Sequence, residues 1–353
     1  MKARLCLLLL PGLVAASTIK PDESVVFFPS LGSRTEDGRA WELEVHGWIF
    51  EAERRSLTLP LLRKVLGIGE DLSSEEKAVF AARARSFLVD NERGKRLSVR
   101  LGEKQVRLEP SGDDGHIRTR LLLTAEQVDR WRSKEGRDSP LRFHAVTAKN
   151  DSRAIAGEVY CLDATGLSVI SDIDDTIKIS EVTDKKALLR MTFLKAFEPV
   201  PGMAEVYRSW VSSVGAQFHY VSASPWQLYR PLADFIRDNG FPEGSFHLKP
   251  FRVKDETFFD LFRSPEGYKL GVLEPLLNRF PDRQFILVGD SGERDPEIYG
   301  TLARKYPDQV RRVFIRELTD ADRSAERYRE AFSEIPAGKW DLFRDPAEIR
   351  SGL

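Results

Sequence analysis

Three carboxylates, Asp172, Asp174 and Asp175, follow directly on an apolar run at 167–170, and Asp290 with Asp295 follows another at 285–288. If folding brings those two strand ends together, four or five carboxylates share one small volume. Like charges a few ångströms apart repel by about 4 kcal/mol per pair at an effective dielectric of about 20. Such a cluster is tolerable only with a cation or with protons on some members. Oxygen-only ligands near strand ends suit magnesium better than zinc. Ser222 closes the apolar run 218–221, and Lys269 precedes an apolar helix. A hydroxyl and an ammonium at the same edge would hold phosphoryl oxygens while a cation neutralises the rest. These are the components of phosphoryl transfer through a carboxylate nucleophile.

The elements that must position these groups come from two textures. From 166 onward apolar strands alternate with helices, the rhythm of a doubly wound α/β parallel sheet. Strands are predicted at 167–170, 218–221, 246–248, 285–288 and 310–315, and helices at 202–211, 229–237, 269–278 and 296–305. The candidate residues sit just past strand ends, the edge at which open parallel sheets bind ligands. Between 24 and 160 the chain shows short apolar and β-branched runs separated by Gly and Asp clusters, which predicts a β-rich, sandwich-like domain. Ser73 with Glu76 forms a capping box ahead of a helix through Phe80, Ala84 and Phe87, and Thr124 with Gln127 predicts a second one.

The chain of 353 residues is long enough for two domains, and its net charge of -1 gives no global bias toward nucleic acid or an anionic membrane. No nucleic-acid partner is expected. Residues 1–17 read as a cleaved signal peptide, with Lys2 and Arg4 ahead of an apolar stretch and small residues at Ala15, Ala16 and Ser17. This predicts a secreted or periplasmic protein. Removal of that segment would leave Cys161 as the one cysteine, so the fold must rely on its core rather than on a disulfide.

The ordered set Asp172-Ile173-Asp174-Asp175-Thr176, Ser222, Lys269 and Gly289-Asp290-Ser291-Gly292-Glu293-Arg294-Asp295 resembles the haloacid dehalogenase superfamily. More narrowly, the segments around Asp172, Tyr220-Val221-Ser222-Ala223-Ser224-Pro225-Trp226, and Val288 to Glu293 resemble the actin-patch-associated phosphatidate phosphatase family, with this chain as a bacterial relative. The resemblance implies a magnesium-dependent hydrolase that converts phosphatidate to diacylglycerol. Asp172 would attack phosphorus to give an aspartyl phosphate, and Asp174 would protonate the leaving alcohol and then deprotonate water. Magnesium would be held by Asp172, Asp290 and the Asp174 carbonyl. Thr176 would order the nucleophile loop, Ser222 and Lys269 would grip the phosphoryl group, and Asp295 would orient Lys269.

The resulting division is a signal at 1–17, a β-rich domain at 18–163, a phosphatase domain at 164–320 with a small cap at 177–201, and a helical tail at 321–353. The cap predicts a helix carrying Leu188, Leu189, Phe193 and Leu194 with Lys185, Lys186 and Arg190. Such a face fits peripheral contact with a lipid surface, although an apolar stripe is more often buried core. Two other functions compete with a lipid substrate: a soluble-metabolite phosphomonoesterase, and a non-catalytic lipid- or envelope-binding module. A chymotrypsin-like reading of Gly289-Asp290-Ser291-Gly292 lacks a local histidine motif and the right sheet texture.

Overall fold

The computed structural model describes residues 19–52, 58–136, 139–251 and 266–352, so the expected signal segment lies outside the described residues. Two compact units result, one from Met1–Arg55 with Leu88–Ala164 and one from Ser56–Phe87 with Thr165–Leu353. The first contains strands β1 (Glu23–Phe28), β2 (Ser30–Arg34), β3 (Ala40–Ala52), β4 (Val89–Asn91), β5 (Ser98–Leu101), β6 (Lys104–Arg107), β7 (His116–Thr124), β8 (Leu141–Val146) and β9 (Ala156–Leu162). Between β3 and β4 the chain forms helices α1 (Thr58–Val65) and α2 (Ser74–Ala84), both part of the second unit, while α3 (Ala125–Glu135) follows β7 in the first.

β3 organises the first unit because its length lets it pair along both edges. It takes β1 and β2 along one edge, and β4 and β7 along the other. Pro29 cannot donate to the ladder, and the pairing steps by one residue across it, from Phe28 opposite His46 to Gly32 opposite Leu43. Trp41, Leu43, Val45 and Ile49 point into a core with Val99, Ile117, Phe143 and Val159. The nine strands form one hydrogen-bonded network in the order β1-β3-β2-β9-β8-β5-β6, with β4 and β7 on β3. The unit is β-rich as expected, its nine strands joined in one network that branches at β3. Thr124 does stand at the N-cap of α3, yet its side chain makes no capping hydrogen bond, so the expected capping pair is absent there.

The second unit continues with β10 (Leu167–Ser171), α4 (Lys185–Leu194), α5 (Met203–Val214), β11 (Gln217–Pro225), α6 (Tyr229–Asp238), β12 (Gly244–Lys249), α7 (Glu266–Arg279), β13 (Gln284–Asp290), α8 (Asp295–Lys305), β14 (Val310–Arg316), α9 (Glu326–Ala331) and β15 (Trp340–Phe343). All adjacent strands are parallel, in the order β12-β11-β10-β13-β14-β15. β10 is buried at every residue, as a strand covered on both faces must be. After β12 the chain crosses back to the far side of β10, so β10 and β13 flank the switch point where such sheets bind ligands. The expected helical tail is corrected in part: α9 is helical, but Trp340–Phe343 joins β14 as a sixth strand and buries Trp340 and Phe343.

The helix expected in the cap segment forms as α4, and its apolar side packs within the unit. Phe193 of α4 packs on Phe80 of α2 and on Phe87, with ring centroids 6.4 and 5.5 Å apart. Arg83 of α2 donates to the Met191 carbonyl at 3.3 Å and to that of Thr192, which end α4. Glu76 pairs with Arg190 and Lys195 at 3.4 and 3.1 Å. Leu188, Phe193 and Leu194 are buried while Lys185, Lys186 and Arg190 face outward, so much of the apolar stripe is spent on packing. The Ser73–Glu76 capping box that starts α2 is present in both directions. No helix among the described residues is long and apolar enough to cross a membrane.

Candidate active site

Because β10 and β13 run parallel side by side, Asp172 and Asp290 emerge together at the C-terminal edge. The Asp172 amide donates to Val288 of β13 at 2.9 Å, and Lys269 reaches in from the first turn of α7. Its ammonium is 2.9 Å from Asp172 Oδ1, 2.5 Å from Asp295 Oδ1 and 3.0 Å from Glu293. Thr176 donates to Asp172 Oδ2 at 3.1 Å. Both oxygens of Asp172 are thereby held by cationic or hydroxyl donors. Gly289 is required beside them, since a methyl group there would collide with the Asp295 carboxylate.

Single carboxylate oxygens of Asp172, Asp290 and Asp295 lie within 4.8 Å of one another, all buried. At that separation each ionised pair repels by about 3–4 kcal/mol at an effective dielectric of about 20. Burial pushes the Asp172 carboxyl well above the usual carboxylate range; Lys269 opposes the shift, and Asp295, Glu293 and Asp290 add to it. Burial does the same to Asp290, with Asp295 and Glu293 adding. For Lys269 burial opposes the charge, but Asp172, Asp295 and Glu293 outweigh it and hold the ammonium well above the ordinary lysine value. One ammonium among four carboxylates leaves negative charge uncompensated.

Asp290 shows where a cation fits. Its Oδ1 accepts from the amides of Gly292 and Glu293 at 2.6 and 3.0 Å, while Oδ2 is buried without a hydrogen-bond partner. An orphaned carboxylate oxygen inside an all-oxygen cluster matches a hard divalent cation. Asp295, expected to serve Lys269, does so through Oδ1 and also contributes an oxygen to this cluster.

Asp174 faces a different set of partners. Ser222 and Ser224 donate to its Oδ2 at 3.0 and 3.1 Å, and Lys178 and Ser180 meet Oδ1 at 2.7 and 2.8 Å. Burial alone would raise its pKa, but the Lys178 charge and these hydroxyls overcome it and hold Asp174 below the usual carboxylate range. Ser222 therefore spends its proton on Asp174 rather than pointing it into open space. Lys178, Ser180, Ser224 and Glu293 were not singled out from the sequence. Ser224 alternates with Ser222 on one strand and Lys178 stands four residues after Asp174, so their spacing was the available signal.

Asp175 shapes the loop that carries both acids. Its φ is 52°, in the left-handed region that Asp tolerates better than most residues. Its side chain accepts from the Ser180 and Val182 amides at 2.8 and 2.6 Å, and Arg316 donates to its carbonyl at 2.6 Å. Ser291, the residue that invited a protease reading, donates to Glu317 at 3.2 Å and accepts from the Leu318 amide at 2.9 Å.

Ser224→Ala removes one hydrogen bond to a charged carboxylate without touching Asp172. The expected result is a rise in the Asp174 pKa toward the ordinary carboxylate range, since a donor to its charged form is lost, measured by NMR titration of its carboxyl carbon.

Residues 167–317 match the family model described as phosphatidate phosphatase APP1, catalytic domain. Phosphatidate phosphatase APP1 of Saccharomyces cerevisiae is 36% identical over 182 residues, which are 51% of this chain and 30% of that protein. An uncharacterized protein of Schizosaccharomyces pombe is 31% identical over 170 residues, 47% of this chain and 27% of its own length. The chain thus spans under a third of the length of the curated relatives it matches. A crystal structure from Thermotoga maritima named for beta-phosphoglucomutase aligns at 15% identity over 52% of this chain and 96% of that one, with a TM-score of 0.30, too distant to carry weight. The stretch from 167 to 317, which holds every candidate residue of the site, is thus similar to the catalytic domain of phosphatidate phosphatase APP1.

Proposed function

We propose that this protein is a magnesium-dependent phosphatase that hydrolyses phosphatidate to diacylglycerol and phosphate through a phosphorylated Asp172. The observation that carries this reading is the placement of Asp172: at the end of a central strand, on Lys269, within a carboxylate cluster whose Asp290 Oδ2 has no partner. The family match supports the lipid substrate over a soluble one.

Asp172, Asp290 and the Asp174 carbonyl would hold magnesium, with Asp295 beside them, and the ion would supply positive charge to the phosphoryl oxygens. An Asp172 oxygen forms a bond to phosphorus as the bond to the glycerol oxygen breaks. Lys269, already on Asp172, shields the approach of an anionic substrate to an anionic nucleophile. Asp174 delivers a proton to the departing alkoxide. The substrate's negative charge, entering beside Asp174, raises that residue's proton affinity from its depressed resting value. Asp174 then takes a proton from water, which attacks phosphorus, releases phosphate and restores the Asp172 carboxylate. Ser222 and Ser224 hold Asp174 in line for both transfers, while Thr176 fixes the rotation of Asp172.

Two measurements test this reading. Acid-quenched enzyme incubated with phosphatidate should carry one phosphoryl group on the peptide containing Asp172. Modification of another residue, or none during demonstrated turnover, would refute the covalent path. Separately, magnesium at about one hundred times its Kd should raise stability by about 2.7 kcal/mol, read as a shift in Tm. Asp290→Asn should remove most of that shift, and an unchanged shift would put the cation elsewhere.

A further inference from the structure

We infer that the β-rich unit carries a second, non-catalytic site that binds a phosphate-bearing headgroup in a basic cleft against Trp131. The cleft has a volume of ≈ 350 Å³, the size of a compact ligand site, and is formed by the β5–β6 turn, α3 and the start of β8. Four cations line it, Lys104, Arg130, Lys134 and Arg142, against the single carboxylate of Glu103. In a chain whose net charge is -1, that concentration is a local feature rather than a reflection of composition.

The cleft is built by backbone and packing. Leu101 pairs with Lys104 across a two-residue turn, and Gly102 there has φ +56°. Any side chain at 102 would meet the Trp131 ring, its nearest ring atoms being 2.6 Å from an ideal Cβ. The indole therefore lies directly on the hairpin turn, fixed on one side by the core it packs against. Lys104 donates to Gln127 of α3 at 2.8 Å, which ties the hairpin to the helix.

The cations have local partners that a phosphate would outcompete. Arg130 pairs with Glu126 at 2.6 Å and Arg142 with Glu158 at 3.2 Å, and both arginines are well exposed. Ion pairs between exposed groups contribute little, whereas a phosphate monoester brings up to two charges and several acceptor oxygens to guanidinium forks. An indole face beside cations suits a headgroup with an apolar or ring portion. This site does not depend on the catalytic reading, because its test reads binding.

The test compares full-length wild type with Arg130→Gln/Lys134→Gln, a variant of two exposed residues outside the catalytic machinery. One arm measures co-sedimentation with phosphatidylcholine vesicles, with and without phosphatidate. The other follows the Trp131 indole N–H by NMR while glycerol phosphate is added. The variant should lose about tenfold or more in affinity in at least one arm, lose the salt dependence of binding, and keep wild-type turnover of a soluble aryl phosphate. Loss in the vesicle arm alone identifies a lipid headgroup as the source, and loss in the glycerol phosphate arm alone identifies a soluble phosphate. Wild type that binds neither probe, or a variant that binds both as wild type does, overturns the site. Should the variant misfold by circular dichroism, a saturable indole shift in wild type decides the matter, and its absence is equally decisive.

Discussion

Asp172→Asn is expected to lower turnover of any phosphomonoester by about 10³-fold or more while leaving the protein folded. The amide cannot attack phosphorus and cannot be regenerated by hydrolysis. The substituted side chain keeps the shape of the original and loses one negative charge from a buried group of four carboxylates around Lys269. Relief of that repulsion offsets the lost contact with Lys269. Tm should therefore hold or rise as kcat collapses, a combination that a merely structural role for Asp172 would not produce. Parallel melting and phosphate-release measurements separate the two.

Lys269→Met is expected to do the reverse and damage both properties. It strips the cation from Asp172, Asp295 and Glu293 while all three stay buried, and such a broken pair costs about 3–5 kcal/mol. Carboxylates already pushed upward by burial and mutual repulsion will bind protons more readily still, so the variant's stability deficit should shrink at acidic pH. The sign follows from linkage: groups with raised folded-state pKa values favour the folded state at low pH and lose that contribution as pH rises through those values. Magnesium should also stabilise this variant more than wild type, since more negative charge awaits compensation. Melting curves across pH, with and without magnesium, measure both effects.

The acids at the sheet edge were legible because each follows an apolar run directly, and a strand's end fixes where the next residue stands. Asp172 follows β10 directly and Asp290 closes β13, as the alternating pattern required, while Ser222 lies three residues short of the end of β11, which runs on to Pro225. Side-chain direction was not legible. Lys178 and Ser180 lie after Thr176 in a loop whose course depends on the left-handed backbone of Asp175, and nothing in local composition shows that their side chains turn back onto Asp174. Asp295 was read both as a member of the acidic cluster and as the residue that orients Lys269, and Gly289 leaves the space in which its carboxylate approaches.

The fold shows the same contrast. β2, β6 and β15 are short and carry Gly, Ser, Lys or Asp, and they become strands through the neighbours that supply their hydrogen bonds. β9 does not alternate, being buried throughout its last four residues, and it begins around Gly157, where a side chain would strike Phe143 and Phe27. The capping box at Ser73 announced α2 locally, but no local signal told that a helix inserted between β strands would fold against α4 of the α/β unit. That partner is long range, and it buries part of the α4 stripe, the commoner fate of such a stripe.

Phosphate release from phosphatidate in mixed micelles, with magnesium or with EDTA, is the most direct test of the central claim. Wild type should release phosphate with magnesium, fall to background with EDTA, and recover on magnesium addition, while Asp172→Asn stays at background throughout. Release that persists in EDTA, or that survives Asp172→Asn, would contradict a magnesium-dependent phosphatase built on Asp172.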